Sequence, residues 1–324
     1  MTTKQKKILS YTLKIIIICL AAFYIFKKLN NHENLTNFSN LIKGLPSISV
    51  YITVFLILAL MFVNWLIESI KWKFLISKVE QISLYKAIES VFCGLTWAVF
   101  TPNRIGEYGG RIFFLSPRKR IQGAVAMSVG HIAQMVITNV VGATALMWFI
   151  YNFKPIDDLI FVAICFLTFV FCSFFILFYF NIRWIEKSLK SIKFLKKYKR
   201  FLSVLNRYHS KELIKVMLYS LARFAVFTTQ YILIIYLLLP EIPIYQSALM
   251  VFILFFIQSA LPSLDLLDVG VRSLTATYFF KTITTHEVAI MAAIALIWLV
   301  NLIIPAILGS FFVFKLKFFD YRNN

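Results

Sequence analysis

The stretch "GLTWAVFTPNRIGEYGGRIFFL", residues 94–115, decides the fold. Both of its ends are apolar, yet its middle holds a proline, two arginines, a glutamate and three glycines. The segment around it, residues 84–115, follows Lys71, Lys73 and Lys78 and runs into "SPRKR" at 116–120. Basic residues at both ends belong on the same side of a membrane, so the segment does not cross once. It is long enough for two half-helices of ten to sixteen residues, about 15–24 Å each. The break falls at Thr101-Pro102-Asn103. Proline cannot continue a helix from before it but suits the first turn of a new one, and threonine is a good N-cap for that turn. Residues 84–100 are therefore expected to dip into the membrane and residues 102–115 to climb back. Irregular backbone at that depth is tolerated only when it is buried in protein or lines a cavity.

Composition supports a membrane setting. Hydrophobic residues make up 60% of the 324-residue chain, against about 45–50% in ordinary globular domains. Long apolar runs recur from end to end, so the chain reads as an all-α polytopic membrane protein with one integral membrane domain, residues 1–324. The formal charge of +20 comes from 34 Lys+Arg against 14 Asp+Glu. These basic residues flank apolar runs, which points to anionic inner-leaflet lipids as partners and not to nucleic acid. Sorting the basic loops to one side gives about six spans, near residues 10–26, 47–70, 121–150, 158–180, 212–239 and 287–314. The first reads as a retained signal anchor, because no small-residue cleavage site follows it. The loop "NNHENLTNFSN", with sequons at Asn34 and Asn37 that are chance matches in an Asn-rich loop, falls outside. Both termini fall on the cytoplasmic side, and the expected location is the cell inner (plasma) membrane.

Residues 245–281 break the span count in the same way. The span before them ends outside and the span after them starts outside, so they form a second re-entrant hairpin, broken at "ALPSLDLLDVG", residues 260–270. Residues 47–150 and 212–314 then read alike with opposite orientation. That is an inverted repeat whose paired broken helices point to a substrate site near the midplane. Between the halves, residues 182–210 carry Ile182, Ile185, Leu189 and Ile192 at helical spacing with lysines largely elsewhere, the pattern of a surface helix on the cytoplasmic leaflet.

Candidate site residues gather in the two hairpins. Arg104, Glu107, Tyr108 and Arg111 are spaced i, i+3, i+4 and i+7, one face of a helix. Thr101 sits at its start. Two arginines and one glutamate leave a positive stripe beside a helix N-terminus, which favours an anion such as phosphate. A purely structural role, Glu107 pairing with an arginine as buried glue, stays open beside it. In the second hairpin Asp265, Asp268 and Arg272 stand out, with Asp268 and Arg272 as i, i+4 partners. His131 and Arg223 lie within spans. Each is open to a structural reading, a packing histidine and a snorkelling arginine, or to a functional one. The four cysteines have neither paired nor metal-type spacing. No nucleotide-binding loop, metal-ligand cluster or nucleophile elbow is visible. No cofactor and no enzymatic activity are expected.

"GLTWAVFTPNRIGEYGGR" resembles the first motif of the lysylphosphatidylglycerol synthase/flippase transmembrane region, matching at Thr101, Pro102, Arg104, Gly106, Glu107 and Arg111. "ALPSLDLLDVGVR" is similar to its second motif but departs at Asp268, where glycine is common, and at Ser273, where glutamate is common. The resemblance implies a lipid translocator acting on a phospholipid headgroup. The soluble aminoacyl-transfer domain of bifunctional members is not present after the last span, so synthase activity is not expected. Two other readings remain: a membrane-embedded lipid-modifying transferase, and an accessory subunit of an envelope-lipid enzyme. The lipid, the direction of movement and the oligomeric state stay open.

Overall fold

The computed structural model describes residues 32–99, 101, 104–182, 184, 199–261 and 268–313. The first span near 10–26, Pro102, Asn103, Asp265, most of the amphipathic 182–210 segment and the C-terminal tail lie outside the described residues. The described residues are helical, without strands. They form α1 (His32–Lys43), α2 (Ser47–Ile76), α3 (Leu84–Val99), α4 (Ile105–Ile112), α5 (Arg120–Phe153), α6 (Asp158–Phe180), α7 (Ser210–Leu238), α8 (Ile244–Ala260), α9 (Asp268–Phe280), α10 (Glu287–Trp298) and α11 (Ile304–Val313). A π-helical turn, Leu299–Ile303, joins α10 and α11 into one rod.

Five of these rods are long and apolar enough to cross a membrane: Ser47–Ile76, Pro117–Phe153, Asp158–Phe180, Ser210–Leu238 and Glu287–Val313. They coincide with the five spans read after residue 31, so the chain is a polytopic all-α membrane protein. Between them the two anomalous segments each form a pair of helices, α3 with α4 and α8 with α9.

Three details differ from the sequence reading. Most of "NNHENLTNFSN", residues 30–40, read as an external loop, lies in the helix His32–Lys43. Its Phe38 and Leu41, with Leu45 just beyond, pack against the core, an apolar spacing that the surrounding asparagines obscure. Helix α2 runs to Ile76, so Lys71 is not a loop cation but a helical residue 1% exposed. And α4 begins at Ile105, not at Pro102, which makes the second half-helix of that pair only eight residues long.

Packing sets the halves against each other. α2 lies along α7, α3 packs on α11, and α8 packs on α5. Glycines make two of these approaches close. A Cβ on Gly309 of α11 would stand 2.0 Å from the Phe92 carbonyl oxygen of α3. A Cβ on Gly142 of α5 would stand 2.3 Å from Phe256 Cβ and 2.9 Å from the Phe252 carbonyl oxygen of α8. Helix α6 is the outermost: Tyr179 alone is fully buried, and it donates to the Leu213 carbonyl at 2.8 Å. Phe174 on this helix is open to lipid, whereas Phe171, of similar appearance in sequence, turns an edge to Phe256 of α8.

Candidate functional site: a buried charge cluster beside the first helix break

The break itself is held by short-range bonds. Thr101 Oγ1 donates back to the carbonyl oxygens of Trp97 at 3.0 Å and Ala98 at 3.2 Å, and accepts from the Gly106 amide at 2.7 Å. It therefore caps the new helix from five residues away. Arg104 takes the positional N-cap in a left-handed conformation, φ 56°, the one such non-glycine residue among those described. α4 then folds tightly back on α3. A Cβ on Gly106 would lie 2.2 Å from the Trp97 carbonyl oxygen, and one on Gly110 would lie 2.4 Å from Gly94 Cα. Small residues at these points let two backbones touch and leave α4's charged side facing the bundle.

That side reaches α2, and through α2 it is linked to α7. Arg111, 1% exposed, donates through one terminal nitrogen to Glu68 Oε1 at 2.7 Å and through the other to Glu107 Oε1. Arg104 Nε donates to Glu107 Oε2 at 3.0 Å. Glu68, 2% exposed, also pairs through Oε2 with Lys71 at 2.7 Å and with Arg223 of α7. Arg223 Nε donates to Asn64 Oδ1 at 3.0 Å. Two tryptophan rings of α2 line the cations, Trp72 5.9 Å from the Arg111 guanidinium and Trp65 5.1 Å from that of Arg223. Four cations thus stand on two carboxylates, three of the cations on Glu68 alone. By helical rise, Glu68 lies about 12 Å inside the Ile76 end of α2, and Arg223 about 20 Å inside the Ser210 end of α7. Gathering such charges within apolar rods is costly and marks a site.

Tyr108 turns away from this line. Its hydroxyl is hydrogen bonded to His131 Nδ1 of α5 at 3.0 Å, with the rings edge to face. So the four residues read as one face split between two partners: Glu107 and Arg111 face α2, while Tyr108 faces α5. Arg223, open to two readings in sequence, faces inward. In the second pair, Asp268 is the first residue of α9 and Arg272 follows one turn later, half-buried, with Ser273 3% exposed. Asp265 lies outside the described residues. In the first pair, Arg104, Glu107 and Arg111 come together in one cluster.

Sequence reasoning missed Asn64, Glu68 and Lys71. They are spaced i, i+4 and i+7 on α2, the same signature as α4, and that spacing inside an apolar run was the available signal. Among the described residues no group of three or more His, Cys, Asp or Glu is placed to hold a metal ion. The arrangement suits recognition of an anion by arginine forks more than chemistry, because both Glu107 oxygens are already engaged by arginines.

Comparison with known proteins gives one match. No curated protein and no solved structure is significantly similar to the chain. The family described as "Lysylphosphatidylglycerol synthase TM region" matches residues 11–309, which spans both helix breaks and every residue of the charge cluster. With nearly the whole of the 324 residues covered, the chain belongs to the lysylphosphatidylglycerol synthase transmembrane-region family.

Proposed function

We propose that this protein is a flippase-like lipid translocator that moves a phospholipid, or another lipid with an anionic or zwitterionic headgroup, between the leaflets of the plasma membrane. The observation that carries the reading is the cluster of Glu68, Lys71, Arg104, Glu107, Arg111 and Arg223, drawn from three helices and set beside a helix break. A headgroup crossing hydrocarbon needs such a polar station, and a broken helix supplies one without exposing backbone to lipid.

The packing supports an inverted repeat. Exchanging the halves 47–150 and 212–314 carries the α3–α11 contact onto the α8–α5 contact and leaves α2–α7 unchanged. Both exchanged seams run through a glycine, Gly309 and Gly142. In this reading the two helix pairs are re-entrant and enter from opposite faces. Tyr245, at the start of α8, packs edge to face on Trp148 near the end of α5, about 42 Å by helical rise from Arg120 at the other end of that helix. Both termini then lie on the cytoplasmic side. Single cysteines at Ser116 and Tyr245, both exposed, should react with a membrane-impermeant maleimide from opposite faces of the membrane, Ser116 from the cytoplasmic one. Labelling from one face alone overturns the arrangement.

Transport itself is tested in reconstituted vesicles. The protein should redistribute a fluorescent phospholipid between leaflets while leaving its mass unchanged. A donor-dependent change in mass with no redistribution would replace this reading with that of a lipid-modifying enzyme.

A further inference from the structure

Within the reading that the site takes a phosphate headgroup, the cluster has an internal division of labour. Its ion pairs form an alternating chain: Arg104, Glu107, Arg111, Glu68, Arg223. The middle is sealed. The side chains of Arg111 and Glu68 are 1% and 2% exposed, and that of Glu107 is 6%. The ends are open, with 35% of the Arg104 side chain and 17% of the Arg223 side chain accessible.

The pairing also decides which cations can leave. Glu107 holds Arg104 on Oε2 and Arg111 on Oε1. When Arg104 swings onto another anion, Glu107 keeps Arg111. Glu68 holds Arg111 on Oε1 and both Lys71 and Arg223 on Oε2. When Arg223 swings away, that same oxygen keeps Lys71, 2.7 Å distant. Neither departure leaves Glu107 or Glu68 without a cation, the event that makes breaking a buried pair costly. Arg111 has no such freedom, because it ties the two carboxylates together from inside.

A second observation lies at the Arg223 end. The Trp65 ring has the guanidinium 5.1 Å from its centroid and is 4% exposed, and its indole N–H has no hydrogen-bond partner among the described residues. A buried orphan donor beside an exchangeable arginine is a place for an acceptor oxygen. Arginine's planar fork fits the oxygens of a tetrahedral phosphate, and an aromatic ring beside it adds a cation–π attraction.

We infer that Arg104 and Arg223 are the arms that bind a tetrahedral phosphate oxyanion, with the Trp65 indole N–H as a further donor. Glu107, Arg111 and Glu68 are the bridge that positions both arms. The phosphodiester of a lipid headgroup and a free phosphate share this chemistry.

Calorimetric titration of the full-length protein in detergent separates the two sources, with short-chain phosphatidylglycerol, glycerol 3-phosphate and inorganic phosphate as probes. Wild type should bind the short-chain lipid. Arg104→Gln and Arg223→Gln should each weaken that binding about tenfold or more, the scale of one charge-assisted pair, with melting temperatures near wild type. Arg223→Lys should recover part of the loss. Trp65→Phe, which keeps the ring and removes the N–H, should weaken binding severalfold. Arg111→Gln should instead lower the melting temperature, as a bridge residue must. Binding of the lipid alone assigns the site to a headgroup; equal binding of all three probes, with the same dependence on Arg104 and Arg223, assigns it to phosphate in either form. The inference falls if wild type binds none of the probes, or if the folded Arg104→Gln and Arg223→Gln proteins bind as wild type does. Leaflet redistribution measured on the same preparations keeps the two ideas apart. Translocation with unchanged binding in these variants overturns the arms alone, and binding without translocation overturns the transport reading alone.

Discussion

Glu68→Ala should be the most destabilising single substitution in the described bundle. It strips one carboxylate from three cations, Lys71, Arg111 and Arg223, two of which are about 1% exposed. Breaking one buried pair by removing a partner costs about 3–5 kcal/mol, and whole domains are stable by only about 5–15 kcal/mol. Thermal unfolding in detergent should therefore shift strongly downward. Lys71→Met alone should be far milder, since Glu68 keeps two arginines. Adding Lys71→Met to Glu68→Gln should recover part of the loss, because that double change removes a charge of each sign together. A Glu68→Ala protein that melts with wild type would mean that this carboxylate is not the keystone of the cluster.

Gly110→Ala and Gly109→Ala, neighbours in sequence, should behave oppositely. A Cβ at residue 110 meets Gly94 Cα at 2.4 Å and Gly94 N at 2.6 Å, both backbone atoms with no rotamer to yield. α4 must then lift from α3, at about 1–3 kcal/mol for overpacking, and it carries Glu107 and Arg111 with it. A Cβ at residue 109 meets the Trp97 ring at 3.4 Å, an ordinary contact. Lipid redistribution should be lost in the first variant and kept in the second. Equal activity in the two would remove the close approach of α3 and α4 from the account of the site.

The five spans after residue 31 and the first helix break were legible because they rest on strong local signals: apolar length, the basic residues that bracket it, and a proline amid glycines. Arg104, Glu107 and Arg111 were legible for the same reason, as charges standing in an apolar run. Lys71 was not, because "KWKFLISK" has the look of a basic cytoplasmic loop, and a lysine in the last turns of a helix is indistinguishable by composition from one outside it. Glu68 was hidden by its neighbour: a carboxylate three residues before a lysine reads as an interfacial pair. Only the arrival of Arg111 and Arg223 turns that pair into the hub of a network; the spacing of Asn64, Glu68 and Lys71 marks a polar face on α2 but does not say which side chains meet it. The start of α4 was misplaced because Pro102 announces a helix that Arg104's left-handed backbone delays to Ile105.

The π turn at Leu299–Ile303 bears on which insertions and deletions this chain tolerates. Such a turn is an α-helix carrying an extra residue. Each residue added to or removed from an α-helix rotates everything beyond it by about 100°. At the present residue count, Gly309 meets the Phe92 carbonyl only with the wide turn in place upstream. Deleting one residue there would turn the wide turn into plain α-helix and leave Gly309 on that seam, whereas plain α-helix with the residue count unchanged would swing Gly309 off it. The wide turn is therefore as much a part of the seam as the glycine itself, and this span should tolerate the loss of one residue at the turn better than the gain of one.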